Sequence, residues 1–240
     1  MVTCLQASVL QPPQVDALKQ SITTLSREHF FYEETYHRFG LRKVQPESHR
    51  YENPQDSWFP VVFGENGAVI SEEITAPFSG YQNAHQIQAT VRIALQWMSQ
   101  QQHWHHQTRQ MAMSIMQHHQ LQKGQSTKPM EWHRDLSEHT LVILLDDEKK
   151  WEGGNFLFQE GTMPQETFLP KKGYGIFFAN ENTQHALTSL TALEDGVDRT
   201  ILTLHEKSID VEKKGILRWI SRAISLIKSL LRLFLNFSPP

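Results

Sequence analysis

From Met111 onward the chain is cut into short β-branched and aromatic runs separated by turn residues: MAMSIMQ, PMEWHRD, HTLVILLDD, GGNFLFQE, TFLP, GYGIFFAN, HALTSL and RTILTLHEK. Eight runs within roughly a hundred residues leave no room for helical crossovers between parallel strands. They predict a closed or double-layered antiparallel sheet such as a jelly roll. Upstream the pattern is mixed. Pro12-Pro13 followed by Val15, Leu18, Ile22 and Leu25 reads as a helix opened by proline. A second helix is expected from about Ile87 to Gln101, with Ile87, Val91, Ala94, Leu95 and Met98 on one stripe. Between them FPVVFGENGAVIS reads as a hairpin turning at Glu65-Asn66-Gly67. The Gln- and His-rich stretch around residues 85–125 keeps its apolar periodicity and is not treated as disordered.

A single cysteine, Cys4, excludes an internal disulfide, and MVTCLQASVLQPP lacks the basic start and long apolar core of a signal peptide. The cytoplasm is the expected compartment. The formal charge of −3 conceals an asymmetry. Residues 213–240 hold Lys213, Lys214, Arg218, Arg222, Lys228 and Arg232 and no acid, leaving 17 bases against 26 acids before them. The acidic body is expected to repel nucleic acid, while the tail seeks anions. In the tail, polar residues from Arg218 to Asn236 recur every three or four positions opposite Leu217, Ile220, Ile224, Ile227, Leu231 and Phe234. A helix over 216–237 would be about 33 Å long, but its regularly spaced cations disfavour crossing a bilayer. Two readings stand: an in-plane anchor on an anionic membrane surface, making the protein membrane-peripheral, or a helix packed on the body or on a second copy of the chain.

Thirteen histidines and eight aspartates give about 0.4 accidental His-x-Asp triplets in a chain of this length. The triplet His133-Arg134-Asp135 is therefore weak alone, but its context is a strand. Residues two apart on a strand share a face, so His133 and Asp135 are expected to face one interior. His185, placed 50 residues after Asp135 on a return strand, could join them. Two imidazoles and one carboxylate leave coordination positions open, an arrangement suited to non-haem Fe(II) oxygen chemistry and unlike a closed, thiolate-rich structural zinc site. In DRTILTLHEK the two-residue period puts Arg199, Ile201 and Thr203 on one face, so Arg199 is expected to point inward, where an anionic cosubstrate would satisfy its guanidinium. The rival cluster His103, His105, His106, His118 and His119 has neither helical nor strand spacing for a metal. Asp146-Asp147-Glu148 reads as a solvated turn, Gly173 and Gly175 as turn glycines, and Trp132 and Trp151 as core or as the lining of a substrate mouth.

The ordered series WHRD, WEGGNFLFQ, PKKGYGIFFAN, His185 and RTILTLHE resembles the 2-oxoglutarate- and Fe(II)-dependent dioxygenase superfamily, particularly its prolyl hydroxylase-like branch, over residues 110–207. The resemblance implies an α+β, mainly β fold: a double-stranded β-helix (jelly roll) over 111–210 as catalytic core, supporting N-terminal helices and hairpin over 1–110, and a C-terminal amphipathic helix over 211–240. It implies Fe(II) held by His133, Asp135 and His185, 2-oxoglutarate as cosubstrate gripped by Arg199, Gly153 and Gly154 opening a core strand, and ascorbate as reductant. The implied reaction is hydroxylation or oxidative demethylation of a C–H bond in a protein side chain or small metabolite. Halogenation is disfavoured, because that branch lacks the carboxylate corresponding to Asp135. Two departures stand out: prolyl hydroxylases usually carry lysine where this chain has Arg199, and Thr191–Asp198 lengthen the interval from His185. The second Arg typical of nucleic-acid demethylases is absent. The alternative from another class is a catalytically silent jelly-roll binding module.

Overall fold

The structure, a computed structural model, describes residues 4–28, 41–44, 58–70 and 84–208. The expected helix over 216–237 lies outside the described residues.

Two antiparallel sheets carry the core. Strands β1 (Cys4–Ser8), β2 (Leu41–Val44), β3 (Phe59–Val62), β4 (Thr108–Leu121), β6 (His139–Leu144), β10 (Tyr174–Ala179) and β13 (Val197–Ser208) build the larger. Its order is β1-β10-β6-β13-β4, with β2 running parallel to β4, and β3 antiparallel to it, along the free edge. The smaller sheet runs β5 (Met130–His133), β11 (Thr183–Leu187), β8 (Phe156–Glu160) and β9 (Glu166–Phe168). β7 (Trp151–Gly153) pairs with β12 (Leu190–Ala192). This is the double-stranded β-helix that the spacing of the short runs predicts.

Alternation explains how the layers stack. On β13, Leu202 and Leu204 turn outward into a cluster with Val15, Leu18 and Ile22 of helix α1 (Pro12–Glu28) and Ile87, Val91, Leu95 and Met98 of helix α2 (Ala84–Gln102). Ile201 turns the other way, to Leu144, Trp151 and Leu190. On β10, Phe177 faces the helices and Phe178 the interior, where it meets Phe156, Phe158 and Leu187 of the smaller sheet. The interior between the sheets is therefore lined by every second residue, and both helices cover one outer face.

Several local expectations are corrected. The Glu65-Asn66-Gly67 turn forms, with Asn66 at φ 56° and Gly67 at φ 72°, but the return leg is only a Phe63–Val69 bridge, and β3 takes its ladder from β4. Asp146 is buried, not solvated: it accepts from the Thr200 N–H and pairs with Lys19 of α1. Gly175 sits within β10, where a Cβ would lie 2.6 Å from Leu141 and 2.7 Å from Val9, so its role is close packing, whereas Gly173 does occupy a turn at φ 78°. Trp151 is core and Trp132 is partly exposed. Among the described residues, no helix is long and apolar enough to cross a membrane.

Candidate metal centre

His133 is the last residue of β5 and lies directly opposite His185 on β11, which puts their ring centroids 4.1 Å apart. The chain leaves the strand at Arg134, so Asp135 is carried by the following loop and not by the strand itself. Its carboxylate nevertheless returns to the pair: Asp135 Oδ1 is 3.8 Å from Nε2 of His133 and 3.8 Å from Nε2 of His185. One ligand atom from each residue falls within 4.8 Å of the others, so the three expected residues converge.

Each side chain is held in a ligand-ready orientation. His133 Nδ1–H donates to the Glu131 carbonyl at 2.9 Å, which leaves the lone pair on Nε2, the nitrogen facing Asp135. His185 is buried, stacked on Phe156 at 5.4 Å and tilted against Phe178 at 4.7 Å. Burial pushes its pKa down to about 4 against the pull of Asp135, so it is a neutral imidazole near neutral pH. Burial acts on Asp135 in the opposite sense, favouring the acid. It is outweighed by the imidazoles of His205, His185 and His133 and by the Thr140 hydroxyl, which hold the carboxyl below its ordinary value. The result is two imidazole nitrogens and one anionic oxygen, a donor set suited to a divalent transition metal. The His133 side chain is 37% exposed against 5% for His185, so the site is open on one side.

Arg199 is buried at the start of β13, six residues before His205 and on the same inward face as Ile201 and Thr203. It lies outside the group that the three convergent residues form. His103, His105 and His106 are exposed in the turn after α2 and converge on no metal-sized group among the described residues. A second acidic group, Glu138, His139 and Glu206, lies on the helix side of the larger sheet. There Arg109, 3.1 Å from Glu206 and 3.6 Å from Glu138, already supplies the positive charge, and His139 donates to Glu206 at 2.7 Å.

Four further side chains complete the centre without having been singled out in the sequence: Ser137, Thr140, Asn180 and His205. Thr140 donates to Asp135 Oδ2 at 2.7 Å, and Asn180 Nδ2 donates to both Ser137 and Thr140 at 2.9 Å. His205 Nδ1 is 3.6 Å from Asp135 Oδ2. Continuing the two-residue period of β13 one step past Thr203 was the available signal for His205.

No protein-family model matches the chain, and no curated protein sequence does. Solved structures do. A prolyl hydroxylase from Trichoplax adhaerens, in complex with a hypoxia inducible factor oxygen degradation domain peptide fragment, is 11% identical with a TM-score of 0.51 over 90% of this chain and 86% of its own. IDO from Bacillus thuringiensis is 10% identical with a TM-score of 0.50 over 86% and 90%. A prolyl-4-hydroxylase from Pseudomonas putida is 13% identical with a TM-score of 0.46 over 86% and 88%. At these identities the likeness to the first two shows the fold, and the resemblance read in the sequence holds at that level.

Proposed function

We propose that this chain is an Fe(II)- and 2-oxoglutarate-dependent oxygenase that hydroxylates, or oxidatively demethylates, a C–H bond of a protein side chain or small metabolite. The observation that carries the reading is the convergence of His133 Nε2, His185 Nε2 and Asp135 Oδ1 on one volume, with both imidazoles oriented for ligation and one flank open. A structural zinc site would be closed by a fourth protein ligand.

In this reading those three atoms would hold Fe(II). Iron and 2-oxoglutarate together supply oxidative decarboxylation: dioxygen, 2-oxoglutarate and a substrate C–H yield succinate, carbon dioxide and the C–OH product. The chain's own part is positional. Neutral His185 needs no deprotonation to ligate near neutral pH, and Phe156 and Phe178 fix its ring and exclude water behind it. Arg199, buried on β13, is assigned to the distal carboxylate of the cosubstrate, whose planar anion matches a guanidinium bidentately. Trp132 and Leu136, the exposed apolar residues next to the triplet in the chain, are candidates for substrate contact.

The test is Fe(II)-dependent conversion of 2-oxoglutarate to succinate by the full-length chain with ascorbate present. His133→Ala, Asp135→Ala and His185→Ala are each expected to abolish it while keeping the wild-type circular dichroism. Succinate formation that survives all three substitutions would overturn the assignment. A wild type that neither binds nor turns over 2-oxoglutarate would leave the silent binding module.

A further inference from the structure

The two oxygens of Asp135 have different neighbours, and the difference bears on how many places a metal would have free. Oδ1 faces the two Nε2 atoms, whereas Oδ2 faces the sheet, where Thr140 donates to it at 2.7 Å. Thr140 has one hydroxyl hydrogen, and it is committed to that bond. Between Thr140 Oγ1 and His205 Nδ1, 3.2 Å apart, only the imidazole can then donate. The same nitrogen is 3.3 Å from Ser137 Oγ and 3.6 Å from Asp135 Oδ2. A lone pair on Nδ1 would confront the carboxylate; an N–H there is attracted to it. His205 therefore presents Nδ1–H to the triangle formed by Thr140, Ser137 and Asp135 Oδ2. The partners are fixed: Thr140, Ser137 and Asn180 are all buried, and Asn180 holds both hydroxyls.

We infer that His205 is a positioning residue that, with Thr140, keeps Asp135 Oδ2 turned into the sheet so that the carboxylate offers a metal one oxygen and not two. The inference rests on the metal reading above. A six-coordinate ion held by three protein atoms has three places left, enough for a chelating 2-oxoglutarate and dioxygen together. A chelating Asp135 would leave two. Replacing His205 with an apolar residue removes one of the two donors that face Oδ2 and allows that oxygen to swing toward the ion, at the expense of the cosubstrate.

The experiment uses the full-length chain and Co(II) as the probe, followed by titration of 2-oxoglutarate into the Co(II) protein. Both affinities are read from visible absorption. In His205→Leu and His205→Phe, Co(II) affinity stays within about threefold of wild type or rises, while 2-oxoglutarate affinity falls about tenfold. His205→Asn puts its amide nitrogen where Nδ1 stood, and is expected to restore cosubstrate binding to within about threefold. Two apolar shapes guard against a variant that fails to fold. The inference is overturned if folded apolar variants bind 2-oxoglutarate as wild type does, since His205 is then only a core residue. Equal loss of Co(II) and 2-oxoglutarate in every variant, Asn included, also overturns it in favour of a structural role. Absence of Co(II) binding by the wild type is a separate outcome that sinks the metal reading itself.

Discussion

At the residue scale, burial sets the acid sensitivity of the metal-free protein. His185 ordinarily titrates near 6.5 and is pushed down to about 4 by burial, so between those values the unfolded chain holds a proton that the folded chain refuses. Its contribution is intact above the upper value and is lost as pH falls through the window, amounting to about 3 kcal/mol. Asp135, with its carboxyl held below the ordinary range, works in the same direction at still lower pH: stability present above the unfolded value is lost below it. Urea midpoints of the metal-free protein should therefore fall as pH drops from about 7 to about 4.5, with a shallower fall in His185→Gln. Equal pH dependence in the two proteins would contradict a buried, neutral His185. Arg199 makes a different prediction. Arg199→Ala should raise the 2-oxoglutarate requirement by an amount equivalent to roughly 2–5 kcal/mol while leaving metal affinity nearly unchanged, because in the proposed reading the bond removed is to the cosubstrate's far carboxylate. Unchanged cosubstrate affinity in a folded variant would make Arg199 an ion-pair residue of the sheet.

At the element scale, β13 joins the parts. Its outward residues pack on the helices, its inward residues carry Arg199 and His205, and at Thr200 its backbone is tied to Asp146, which also reaches Lys19 of α1. Asp146→Ala would leave the buried Thr200 N–H without an acceptor and should destabilise the fold by about 2 kcal/mol, the Lys19 ammonium being able to rehydrate. Chemical denaturation would show it, and a change within error would mean the tie contributes nothing. Most strands of the core were legible because their side chains alternate between two apolar environments, as at Phe177 and Phe178. β1 was not, because Cys4 to Ala7 are all partly buried and carry no two-residue contrast. β7 and β12, at three residues each, are too short to show a period. The metal-sized group was legible through His133 and Asp135 at a fixed spacing. Asn180 and its hold on Ser137 and Thr140 were not, because those hydrogen bonds span 43 and 40 residues and leave no local trace in the sequence, and the β13 period put His205 on the inward face without showing what it meets there. The buried role of Asp146 was hidden for the same reason: its partners are 54 and 127 residues away.

At the scale of the whole molecule, a sandwich covered by helices on the outer face of the larger sheet leaves the His133 side of the smaller sheet open, and the polar interior of the barrel is concentrated at that end. Asp135, Ser137, Thr140, Asn180, His185 and His205 meet there, while Phe156, Phe158, Ile176, Phe178 and Leu187 pack into one apolar cluster behind them. Such a layout concentrates the cost of buried polar groups in one place, and a bound divalent ion would offset it. The most direct measurement is the metal stoichiometry of the purified full-length chain, compared with a variant carrying His133→Ala, Asp135→Ala and His185→Ala together and checked for wild-type circular dichroism. One equivalent of Fe(II) bound by the wild type and none by the folded variant is the predicted result. Equal binding by the two proteins, with ligands drawn from elsewhere in the histidine-rich chain, would contradict it.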